Sequence, residues 1–87
     1  MHEFHMTQTL LQTALTSAKL QDGEQIERLH IALDPDSTYL ADAIRFYFEQ
    51  LAQHTAAAGA QLEFDTAAAG EQIRLTSIDI GVRSLAR

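Results

Sequence analysis

Two of the four histidines stand within the first five residues, Met1-His2-Glu3-Phe4-His5. A free α-amine has a pKa of about 7.7–8.0 and an imidazole about 6.5, so near neutral pH both can offer lone pairs to a metal. Both suit nickel or copper. The spacing adds to this. The amine of Met1 and the amide nitrogen of His2 close a five-membered ring around an ion, and the His2 imidazole closes a second ring from that same amide. An ion that favours a square plane can displace the amide proton. The fourth position is open to the Glu3 amide, the Glu3 carboxylate, the His5 ring or a group from a partner. A plainer reading stands beside this one. Histidines on a frayed terminus bind nothing, and His5 occupies a surface position in the first turn of a helix.

The other chemistry-bearing residues point less far. His30 alternates away from the apolar face of its strand and is expected on the sheet surface. His54 is expected in the last turns of a helix, where a protonated ring suits the dipole. There is no Gly-x-Ser-x-Gly elbow, phosphate loop or dinucleotide fingerprint. The carboxylates scatter over solvent faces, so the chain is not expected to be an enzyme. Cysteine is absent, which excludes disulfides, thiolate zinc sites and a cysteine nucleophile.

Four stretches, the last a pair of strands, must position the terminus. Met6, Leu10, Leu11, Ala14, Leu15 and Ala18 predict a helix over about 6–20 with one buried stripe, stopped near Gly23. Leu29, Ile31 and Leu33 alternate with polar neighbours and predict a strand over about 26–33. Asp34-Pro35-Asp36-Ser37-Thr38 breaks it and leads toward an N-cap. Leu40, Ile44, Tyr47, Phe48 and Leu51 predict a second helix over about 38–57, ended by Gly59. Two strands follow, around Leu62 and Phe64 and around Ile73 and Leu75. Beyond Ser77 the parity changes: either a bulge near Thr76–Ser77 returns Ile78 and Ile80 to the core, or both faces of this strand are partly covered. The repeated Thr-Ala-Ala-Ala-Gly at 55–59 and 66–70 falls in different contexts and is not a structural repeat.

The order α-β-α-β-β predicts an α/β (α+β) fold: a two-layer sandwich of two helices on a three-stranded mixed sheet. The middle β-α-β unit is long enough for a parallel crossover, and the last two strands are expected to form an antiparallel hairpin. At 87 residues the chain is read as a single domain over 1–87, with a short linker at 66–71. Six Lys and Arg against twelve Asp and Glu give a net charge of −6, which argues against nucleic acid as a partner. No run approaches the ~18 apolar residues of a membrane span. The start MHEFHMTQTL has no basic-then-apolar leader, so the cytoplasm is the expected compartment.

The sequence resembles the HypA/HybF hydrogenase nickel-incorporation family. The resemblance runs through Met1-His2-Glu3, the TQTLLQTAL helix, Leu29-His30-Ile31 and Ile44-Arg45-Phe46-Tyr47-Phe48-Glu49. It resumes at Gly59-Ala60-Gln61-Leu62-Glu63 and closes with Arg74-Leu75-Thr76-Ser77-Ile78-Asp79-Ile80. It implies the fold just drawn and a role in delivering nickel to the large subunit of a nickel–iron hydrogenase, in some members to urease. It also implies that the amine, backbone amides and second-position ring hold the metal, which map onto Met1, His2 and Glu3. A maturation GTPase cooperates in the family.

There are departures. The family carries a zinc module with two Cys-x-x-Cys pairs between the last two strands. Here that gap holds only Thr66-Ala67-Ala68-Ala69-Gly70-Glu71, so no structural zinc is expected. The family's Gly-Glu-Leu-Ser type turn is replaced by Asp34-Pro35-Asp36-Ser37, and His5 replaces a small residue and adds a candidate ligand. The expected function is therefore a nickel-binding accessory protein that holds Ni(II) transiently at Met1, His2, Glu3 and His5. The alternative is a metal-free interaction module of the same maturation pathway, docking through its acidic surface and sheet edges. Exposed edges would also permit a homodimer.

Overall fold

Thr7, Leu10, Leu11 and Ala14 recur on one side of a helix and are buried, with Met6, Leu15 and Ala18 packed beside them. That stripe sets how the first helix lies on the sheet. The structure, a computed structural model, describes residues 2–68 and 70–82. Among these the order is α1 (His2–Ala18), β1 (Glu24–Leu33), α2 (Ala41–Leu51), β2 (Gln61–Thr66) and β3 (Ile73–Val82). This is the expected two-layer arrangement of two helices and a three-stranded mixed sheet.

α1 starts four residues earlier than its apolar stripe predicts, and so takes in His2, Glu3 and His5. The Thr7 hydroxyl, fully buried, donates to the Glu3 carbonyl, and Phe4 packs edge-on against Tyr47 with ring centroids 5.5 Å apart. These contacts hold the first turn, where a sequence stripe has nothing to register. The helix ends at Ala18, and Lys19 turns the chain with φ 49°. Gly23 lies in the following turn at φ 84°, a left-handed conformation that a Cβ disfavours.

The loop 34–40 forms as its residue types dictate. The Asp34 carboxylate accepts from the Asp36 amide at 2.9 Å, and the Ser37 hydroxyl accepts from the Tyr39 amide at 3.2 Å. α2 begins after Leu40, which offers no side-chain cap. It is shorter than predicted. Beyond Leu51 the alanine-rich segment continues in turns, and His54 takes φ 66°, so it lies outside the helix rather than in its last turns.

β1 pairs parallel with β2 and antiparallel with β3, in the order β2-β1-β3. The expected hairpin between the last two strands is therefore corrected: they flank β1 and do not pair. Burial gives the reason. β1 carries buried Ile26, Leu29, Ile31 and Ala32, whereas in β2 only Leu62 is buried. The most apolar strand gains most from neighbours on both edges. The connector after β2 straddles the end of β1: the Ala67 amide donates to Leu33 O at 3.2 Å, and the Asp34 amide to Gln72 O at 2.9 Å. The anticipated bulge is present, but of the two residues it was expected to return to the core only Ile78 packs there, while Ile80 stays exposed. His30 faces Ser77 and Ile31 faces Leu75, leaving Thr76 as the extra residue, and its hydroxyl donates to His30 O at 3.0 Å. A second register shift at Glu27 brings Ile26 into the core.

Candidate metal centre at the N-terminus

The fold carries the start of α1 over the loop 34–40. The His2 ring rests there. Its Nε2 lies 3.4 Å from Thr38 O, and its plane meets the Tyr39 ring at 70° with centroids 4.9 Å apart. Tyr39 is itself half-buried against the core, so the surface under His2 is fixed by the fold. The carbonyl oxygen can only accept, so this contact suits the neutral tautomer with its proton on Nε2, which leaves the lone pair on Nδ1. Nδ1 is also the nitrogen that can close a chelate with the His2 amide, because Nε2 lies on the far side of the ring. A ligating histidine that donates its other N–H to a backbone carbonyl has its tautomer and orientation set in advance.

The amides around it are suited to the same task. The first N–H groups of a helix have no intrahelical acceptor. Losing the protons of the His2 and Glu3 amides thus breaks no helical hydrogen bond. A helix N-terminus repels a bare cation, but deprotonated amides replace that local positive field with anionic donors. The Glu3 carboxylate comes within 3.9 Å of His2 Nε2 and is largely covered, its side chain 16% exposed.

The four residues expected to form the site fare differently. Met1 lies outside the described residues. His2 and Glu3 are brought together. His5 is exposed, with its ring edge-on to Phe4 at a centroid distance of 6.2 Å. Among the described residues, no three His, Asp or Glu side chains converge to hold a metal. A site built on an amine, amides and one imidazole does not need such a cluster. Sequence reasoning missed Thr38 and Tyr39. Thr38 lies 36 positions from His2, and no local pattern signals so distant a contact.

His30 has a partner of its own on the open face of the sheet. Its Nε2 donates to Asp79 at 3.0 Å, and Arg28 reaches the same carboxylate at 3.4 Å and Glu63 at 3.7 Å. The hydrogen bond from His30, followed by the charges of His30 and Arg28, holds the Asp79 carboxyl below its ordinary value against an opposing desolvation effect. This network ties β3 to β1 and β2 and lies apart from the terminus.

Comparison with known proteins gives a single answer. The family described as hydrogenase/urease nickel incorporation, metallochaperone, HypA matches residues 1–80. The hydrogenase maturation factor HypA of Dehalococcoides mccartyi strain CBDB1 is 32% identical over 75 residues, 86% of this chain and 63% of that protein. HypA of Synechococcus sp. strain ATCC 27144 / PCC 6301 is 36% identical over 66 residues, 76% of this chain and 59% of that protein. The chain thus spans about three fifths of the length of these curated relatives.

Proposed function

Since the chain belongs to the HypA family of hydrogenase/urease nickel-incorporation proteins, we propose that it captures Ni(II) as cargo at Met1, His2 and Glu3 and hands it on. The recipient in this reading is the large subunit of a nickel–iron hydrogenase, with a maturation GTPase as helper, in the cytoplasm. The protein acts by carrying the ion rather than by catalysis. The amine of Met1, the His2 amide and His2 Nδ1 take three corners of a square. The Glu3 amide takes the fourth. His5, three residues on along the same helix face, supplies a spare imidazole.

The observation that carries this reading is the seat of His2 on Thr38 O and Tyr39. It presents the chelating nitrogen and spares much of the ordering cost that a free terminus would meet on binding. Release follows when a partner offers competing ligands, or when acid returns protons to the amine, ring and amides. Nickel titration of protein with an unblocked Met1 is expected to give about one ion per chain. His2→Ala abolishes that uptake. Equal affinity in the two proteins ends the proposal, and no uptake by either, with partner binding unchanged, favours a docking module without metal.

A further inference from the structure

The two edges of the sheet differ. β2 is six residues long, and Arg45 donates to its outward Leu62 carbonyl at 2.8 Å, covering part of the edge. β3 is ten residues long and ends in exposed Ile80 and Val82, 42% and 75% accessible. Long edges with apolar ends are templates for pairing.

The backbone of β3 has a symmetry that its bulge creates. Gln72 accepts from Asp34, so Gln72 and Arg74 point toward β1, and Ile73 and Leu75 point away. Past the extra residue Thr76, Ser77 and Asp79 face β1 through His30 and Arg28. Ile78 and Ile80 then point away. The Ile26 amide, opposite Ile80, donates to Ala56 O and not to β3, which agrees with this parity. The outward groups are therefore those of 73, 75, 78 and 80, and they mirror one another about the junction of Thr76 and Ser77. Without the bulge that mirror would be lost.

We propose that β3 pairs antiparallel with β3 of a second copy about this two-fold point, giving a continuous six-stranded sheet. Leu75 then faces Ile78 of the other copy, and Ile73 faces Ile80, each pair sharing outward hydrogen bonds and lying on the core side of the sheet. On the open side Arg74 faces Asp79 of the other copy. That contact joins opposite charges twice across the axis. Both residues keep near half of their side chains exposed in the single chain, 54% for Arg74 and 46% for Asp79, so each is accessible to a new partner beside Glu71 and His30. Self-complementarity of one patch is what a two-fold interface requires.

Sedimentation of the full chain over a wide concentration range tests the inference. A reversible monomer–dimer equilibrium is expected. Ile80→Lys with Val82→Lys, at positions already exposed, should leave circular dichroism unchanged and remove the dimer. Arg74→Glu should raise the dimer dissociation constant about tenfold, since it sets like charges opposite each other twice. Arg74→Glu mixed with Asp79→Lys should form a heterodimer more readily than either variant forms a homodimer. A chain that stays monomeric at all concentrations, or a dimer indifferent to the edge lysines, overturns the proposal. Neither outcome depends on nickel binding.

Discussion

Replacing Tyr39 tests whether the proposed capture of nickel uses the seat of His2. The Tyr39 ring meets His2 edge-on at 4.9 Å. Contacts of this kind contribute about 0.5–1.5 kcal/mol beyond the area they bury. The His2 side chain is 54% exposed, so the lower half of that range applies. If the ring keeps its place when nickel binds, Tyr39→Ala lowers nickel affinity by about two- to fivefold, because 1.4 kcal/mol is tenfold. The same substitution removes a half-buried ring from the core and lowers folding stability by about 2 kcal/mol. Tyr39→Phe keeps the ring and serves as the control, with affinity unchanged. Calorimetric nickel titration, paired with urea unfolding of each apo protein, separates the two effects. A rise in affinity for Tyr39→Ala would mean that His2 must leave its seat to bind. That result refutes the reasoning, since the seat would then compete with the metal.

Two further outcomes follow from the packing and the open face. Ile44 of α2 is fully buried in the core cluster, so Ile44→Ala should cost about 2–5 kcal/mol in urea denaturation. Asp79 has its carboxyl lowered by His30 and Arg28, so its contribution to stability is present above the unfolded carboxyl value of about 3.9 and lost as pH falls through the lower folded value. Asp79→Asn should therefore flatten the acid limb of the Tm against pH curve while leaving nickel stoichiometry untouched.

The sequence made some levels of this structure legible and hid others. Ile44 and Phe48, four apart, located α2 because burial repeats with the helix period. The parity break after Ser77 located the bulge because a strand has period two. The start of α1 was hidden. Its first turn is held by Phe4 on Tyr47 and by the Thr7 hydroxyl on Glu3, contacts that leave no stripe. Strand order was hidden too. The alternation of β2 and β3 says which face is apolar but not which edge meets which neighbour, and the short connector suggested the wrong pair. For the candidate site, chelate-ring size pointed to Met1 and His2 in the sequence and left the fourth ligand open. The support from Thr38 and Tyr39 depends on the tertiary fold. His30, expected on the sheet surface, stands on the open face as alternation required, half-buried by its pairing with Asp79.

The most direct test uses three forms of the chain: one with a free Met1 amine, one acetylated there, and one carrying a single extra residue before Met1. Absorption and X-ray absorption spectra are recorded after adding Ni(II). The free form should develop the d–d band of a square-planar ion with nitrogen-rich coordination, and both blocked forms should fail to do so. Identical spectra from all three would contradict the claim that the unblocked terminus and His2 hold the nickel.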